Sequence, residues 1–258
     1  MSNTPKLALG IFTALVILVA ASAWIWLRGR GSEGTEPPAE RLAATTVPTP
    51  EPTPSLQDRL SDRLKGVSVN TSDEVIRQLA AGLSARPELA SWLMAEDLVR
   101  RFVASVDNIA DGRSPHQHID FLRPAAPFAV QRRGGLITID RASYRRYDLA
   151  ATVFASLDVA GSASLYRELK PLIDDAYAEI SPPGRQFDDR LVAAIDHLLE
   201  VPVLDGDVQL EEKVITYSFA DERLEALSGA QRQLLRMGPD NARTVQEKLS
   251  EFRVALGR

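Results

Sequence analysis

The side chains that could do chemistry in this chain are three histidines, several closely spaced carboxylates and a set of arginines; there is no cysteine. Thiol catalysis, disulfide staples and cysteine-ligated metal are therefore excluded. His116, His118 and Asp120 stand two apart, so in an extended segment all three would project from one face, as metal ligands do. Such a site would need further ligands that the chain does not point to. The preferred reading is of solvated or backbone-capping side chains in a proline-flanked loop, with no metal and no cofactor. His197 lies on the flank of a helical stripe and reads as a boundary residue, not a base.

Asp107 and Asp111 are like charges at i, i+4 near a predicted helix C-terminus, where the helix dipole is also negative. Something cationic must compensate them. Arg113, Arg145 and Arg146 are the candidates, either in an internal salt-bridge network or in a cleft where an arginine fork binds a carboxylate or phosphate. The pairs Asp174-Asp175 and Asp188-Asp189 are adjacent, so on a helix they point different ways and do not form a catalytic dyad. There is no Gly-x-Ser-x-Gly, no P-loop and no dinucleotide fingerprint, and the serines stand beside no recognisable base.

The elements that must carry these residues begin with an apolar run. Residues 7–27 hold no charge and, as a helix rising about 1.5 Å per residue, match a roughly 30 Å hydrocarbon core. Trp24, Trp26, Arg28 and Arg30 are placed for the membrane interface. A cleaved signal peptide ending at Ala21-Ser22-Ala23 is the competing reading, but hydrophobicity continues through Trp24-Ile25-Trp26-Leu27 beyond that cut. Basic residues flank both ends, so charge does not orient the span; a six-residue tail fits a cytoplasmic N-terminus with the large domain exported.

Residues 28–54 form a linker with prolines at 37, 38, 48, 50, 52 and 54, favouring extended polyproline II. A docking site for a proline-recognising module is the alternative there. The expected organisation is a cytoplasmic tail over 1–6, a transmembrane anchor over 7–27, the linker over 28–54 and a globular periplasmic domain over 55–258. The first 54 residues carry four basic and four acidic side chains, so the formal charge of −5 belongs to the domain. An acidic domain lacks the basic footprint of a nucleic-acid binder.

Within the domain, capping-box spacing at Thr71 to Glu74 opens a helix that stops before Pro87. A second is predicted over 87–110, with Glu96–Arg100 and Asp97–Arg101 pairs on its outer face and Gly112 ending it. Residues 128–139 read as a hairpin turning at Gly134-Gly135. Helices follow over 144–157 and, after a break at Gly161-Ser162, over 165–180, kinked or restarted at Pro171. Asp188 is the expected N-cap of the next helix, with Phe187 and Val192 as its staple. Residues 201–219 switch to β with Asp205-Gly206 as the turn signal. Ser228 to Gln231 is a second capping box, Gly238-Pro239 a stop, and Val245, Leu249, Phe252 and Leu256 a final stripe. The expected class is α+β, mainly α: a helical domain with two or three short β-hairpins, preceded by one transmembrane helix and a disordered linker.

The strings Pro87-Glu88-Leu89-Ala90, Asp97-Leu98-Val99-Arg100-Arg101-Phe102-Val103, Tyr144-Arg145-Arg146-Tyr147-Asp148-Leu149, Leu165-Tyr166-Arg167-Glu168-Leu169-Lys170-Pro171-Leu172 and Gln233-Leu234-Leu235-Arg236-Met237-Gly238-Pro239 resemble a proteobacterial family of single-pass membrane-anchored proteins catalogued as a domain of unknown function. The resemblance spans most of residues 72–252. It implies an inner-membrane tether with a periplasmic domain and carries no activity with it. The expected function is a tethered, noncatalytic cell-envelope interaction or scaffold domain binding a protein or an anionic envelope component. The 144–148 segment and the 116–120 loop are its best surfaces, and the site residues are Asp107, Asp111, Arg113, His116, His118, Asp120, Arg145 and Arg146. The alternative is an envelope hydrolase with an unmotifed carboxylate or histidine site, which a deep pocket with two titratable groups would favour.

Overall fold

The computed structural model describes residues 63–257 except 116, 117, 120–123 and 125. The expected anchor and linker, and His116 and Asp120, lie outside the described residues. The helices are α1 (Asp73–Ala80), α2 (Pro87–Trp92), α3 (Leu98–Ala110), α4 (Arg141–Arg145), α5 (Asp148–Ala155), α6 (Val159–Ala178), α7 (Phe187–Leu199), α8 (Glu222–Glu225), α9 (Gly229–Leu235) and α10 (Pro239–Ala255). The strands are β1 (Val130–Arg133), β2 (Leu136–Ile139), β3 (Gln209–Glu212) and β4 (Tyr217–Phe219). The architecture is α+β and mainly α, as the patterning predicts. Among the described residues no single helix is long and apolar enough to cross a membrane.

The core forms where α3, α6, α7 and α10 bury their apolar stripes together. Phe187 is fully buried and stands 5.4 Å, ring to ring, from both Phe102 of α3 and Tyr177 of α6. Phe154 of α5 meets Phe252 of α10 at 5.8 Å.

The structure corrects several boundaries, each for a local reason. The helix predicted over 87–110 is broken at residues 93–97, and Asp97 takes a left-handed φ of 58°. Arg77 of α1 captures the Leu93 and Ala95 carbonyls at 2.8 and 2.9 Å, and the Asp73 carboxylate accepts from the amides of Asp97 and Leu98 at 2.8 and 2.9 Å. A neighbouring helix thus caps α3 where its own sequence does not. The outer-face pairs change accordingly: Arg100 reaches Glu179 beyond α6 in a fork of 2.6 and 2.8 Å, while Arg101 donates to the Glu96 carbonyl instead of pairing with Asp97.

In the same way, α6 runs through Gly161-Ser162 and Pro171. Asp158 caps it by accepting from Ala160, which moves the helix start ahead of the small residues, and both of those are buried. Gln186, not Asp188, is the N-cap of α7; Asp188 accepts instead from the Tyr166 hydroxyl. Ser72 holds the N-cap position assigned to Thr71. The Ser228–Gln231 capping box forms as predicted, and Gly112 closes α3 with a φ of 73°.

The hairpins merge into one antiparallel sheet of order β1-β2-β3-β4. Gly134 and Gly135 supply the two positive φ angles of the first turn, 58° and 82°. The second turn is at Lys213 to Thr216, closed by a 2.8 Å backbone bond, not at Asp205-Gly206, which lie in the connection ahead of β3. The join between the hairpins is Ile137 opposite Leu210 and Thr138 opposite Gln209, a pairing across some seventy residues that local periodicity does not encode.

Candidate functional site

Strand alternation together with the register places Ile137, Ile139, Leu210, Tyr217 and Phe219 on one face of the sheet. Phe128, just ahead of β1, closes against Tyr217 with rings 5.9 Å apart. Two helical termini supply the cations. Buried Ser143 on α4 exchanges hydrogen bonds of 2.8 Å with both the amide and the carbonyl of Ala129, pinning α4 to the start of β1. That fixes Arg146, the residue after α4, over Phe128 at 5.5 Å and over Tyr147 at 5.4 Å. Its Nε donates to the Ser143 carbonyl and its Nη1 to that of Ala126, at 2.9 and 3.1 Å. On the other side, Arg236 follows the last turn of α9 and stacks over Phe219 at 5.6 Å. The result is a groove of about 460 Å³ walled by aromatic and aliphatic side chains, with Arg146 and Arg236 lining it.

Arg236 is the unusual member. Glu225, the acid nearest to hand, is spent on Arg232 at 2.8 Å and on the Phe219 amide at 2.9 Å. Among the described residues Arg236 donates to no carboxylate and no carbonyl; its guanidinium lies over the Phe219 ring, and Glu225 and Tyr147 act on it through charge alone. Burial, and then the neighbouring Arg232 charge, push its guanidinium down from the ordinary arginine value, against a smaller upward pull from Glu225 and Tyr147. No Arg236 nitrogen is buried without a partner, so water can accept from the guanidinium in the free protein, and a bound anion would take that water's place.

Among the described residues, those singled out in the sequence do not come together in one site. Asp107 and Asp111 are compensated by Arg190 of α7. Its Nε meets Asp107 at 2.8 Å, its Nη2 reaches the Asp107 carbonyl at 2.9 Å, and the same nitrogen bonds the Asp111 carboxylate. Arg113 joins from the far side, 2.9 Å from Asp111. Arg145 and Arg146 are elsewhere, so only Arg113 of the three expected partners takes part. The network is an internal tie between α3 and α7.

Arg145 and Arg146, though adjacent, face different depressions. Arg145 lines a polar cleft with Tyr144, Asp148 and Asp207, where burial and then Asp207 push the Tyr144 hydroxyl up. His118 donates its amide to the Pro115 carbonyl at 2.8 Å. Among the described residues no group of three or more His, Asp or Glu side chains is placed to hold a metal ion.

One pairing was not legible at all: His197 Nε2 lies 2.7 Å from Ser228 Oγ. It resembles half of a nucleophilic site, but Ser228 Oγ is already the N-cap acceptor for the Gln231 amide, and the Gln231 side chain returns to the His197 carbonyl at 3.1 Å. The Ser228 side chain also sits against Gly112, where a Cβ would come within 2.9 Å. None of the described grooves opens onto the pair, so the bond reads as a clamp between α7 and α9. Arg236 had a faint signal, being a charge directly after the apolar Leu234-Leu235, whereas Arg190 had none, since no spacing rule links it to an acid 83 residues away.

A family model described as Protein of unknown function (DUF3014) matches residues 98–253. The chain belongs to that family. The DUF3014 match runs from the first residue of α3 almost to the end of α10, so it takes in the sheet, both arginines of the groove and the Asp107–Arg190 tie, and leaves α1 and α2 outside. No curated protein and no solved structure matches the chain.

Proposed function

We propose that this DUF3014 protein is a membrane-tethered, noncatalytic binding domain of the cell envelope, held at the inner membrane by residues 7–27 with its C-terminal domain in the periplasm. The observation that carries the binding role is the groove lined by aromatic rings and by Arg236, which has no hydrogen-bond acceptor among the described residues, the arginine-lined surface that separates a binder from a hydrolase. The conspicuous titratable pairs are consumed by structural bonds: Asp107 and Asp111 by Arg190, and His197 by Ser228. The tether rests on the uncharged 21-residue run and the proline-rich leash that follows it.

Topology and binding are tested together in cells. A reporter enzyme active only outside the cytoplasm, fused after Arg258, should be active, and crosslinking before pull-down should recover one specific envelope partner. Silence from a stably expressed fusion would overturn the topology. Turnover of an envelope substrate with no specific partner would overturn the noncatalytic role.

A further inference from the structure

Building on that binding role, we infer that the groove takes an extended peptide of a partner protein, its carboxylate bonded to Arg236 and its apolar side chains laid along Phe219, Tyr217 and Ile215. Charge complementarity selects an anion, because Arg236 has no acceptor of its own among the described residues while Arg232 beside it is already paired. The walls select more than a bare ion. Phe128, Tyr217 and Phe219 offer ring faces, and a small hydrated anion such as phosphate would leave them wet. Arg146 keeps its Nη2 group unbonded among the described residues, so it can donate to a backbone carbonyl of the ligand.

Length then separates a peptide from a compact carboxylate. The groove's apolar wall runs out into solvent: Ile215, which lines it, is 91% exposed, and Val214 beside it in the β3–β4 turn is 101% exposed. β4 is extended over Tyr217–Phe219, about 7 Å at roughly 3.3 Å per residue, and Ile215 in the turn carries the lining beyond it, so the wall faces roughly three residues of ligand. A β-branched side chain, Ile215, almost wholly in water while lining an aromatic groove is what a partner strand would cover.

The test uses the full chain in neutral detergent and an array of pentapeptides alternating Val, Ile or Phe with Thr and ending in a Glu or Gln amide. Glu peptides should bind about tenfold or more tightly than their Gln counterparts, the effect of one charge-assisted hydrogen-bonded pair. Arg236→Met should erase that difference, while Arg223→Gln, which removes an equal charge from the 90% exposed Arg223, should leave it intact. Equal binding of Glu and Gln peptides, binding by none, or full displacement by millimolar inorganic phosphate or by phosphatidylglycerol vesicles would overturn the inference. A specific partner crosslinked to another face of the domain would overturn it too, yet leave the broader binding role standing.

Discussion

Gly238→Ala is expected to destabilise the domain by about 4 kcal/mol, the sum of a backbone strain and an overpacking penalty. Gly238 has φ 86° and ψ 164°, a conformation open in practice only to glycine. A Cβ there would fall 2.4 Å from Tyr144 Cγ and 2.7 Å from Tyr144 Cβ, so rotating the ring does not relieve the clash. Nor can the Tyr144 backbone retreat freely, because its carbonyl accepts from Asn241 of α10 at 3.2 Å. The close approach of α4 to the start of α10 is what brings Arg146 and Arg236 to one groove, so the damage should extend to binding. Urea unfolding of the full chain measures the effect. A loss under about 1 kcal/mol, within the range of an ordinary substitution, would mean that α4 and α10 are not locked at this point.

Arg190→Gln should cost about 2 to 3 kcal/mol at neutral pH, since it removes charge-assisted hydrogen bonds to two carboxylates that remain near each other at the C-terminal end of α3. The three side chains are 17%, 21% and 35% exposed, which keeps the estimate below that for a fully buried triad. The effect has a pH signature. Desolvation alone would raise the Asp111 carboxyl, but the Arg190 hydrogen bond and charge, with Arg113, hold it below the ordinary carboxylate value. A depressed folded-state pKa stabilises above the unfolded value and is lost as pH falls through the folded one. The gap between parent and variant should therefore be full at pH 7 and close as the pH drops below about 4. A gap that stays constant down to pH 2 would show that Arg190 acts by packing alone.

How much of this could be read in the chain varied with the range of the interaction that decides it. Elements fixed by neighbours in sequence were legible: the Gly134-Gly135 hairpin, the Ser228–Gln231 capping box and the stripes of α7 and α10 all follow from spacing. Elements fixed by a distant side chain were not. The break ahead of α3 is made by Asp73 and Arg77, and the union of two hairpins into one sheet depends on Ile137 finding Leu210.

The site divides along the same line. The like-charged Asp107 and Asp111 announced that a cation was needed, and the structure supplies Arg190 from another helix together with the expected Arg113. Arg146 was singled out for a network it does not join, and it belongs to a groove whose rings come from strands that pairwise spacing could not assemble. Arg236 gave only a faint signal in the sequence, because its distinguishing feature is the absence of a hydrogen-bond acceptor among the described residues.

The central claim is that Arg236 is kept for a ligand and not for the fold, and the stability of Arg236→Met tests it most directly, with no ligand required. Methionine retains much of the apolar stem over Phe219 while removing a half-buried cation and its repulsion with Arg232. In urea unfolding without peptide, the variant should be as stable as the parent or more stable by up to about 1 kcal/mol, as happens when a costly buried charge gives way to a hydrophobic side chain. A loss of more than about 1 kcal/mol would show that the arginine holds the domain together, and the groove would then have no claim to be a binding site.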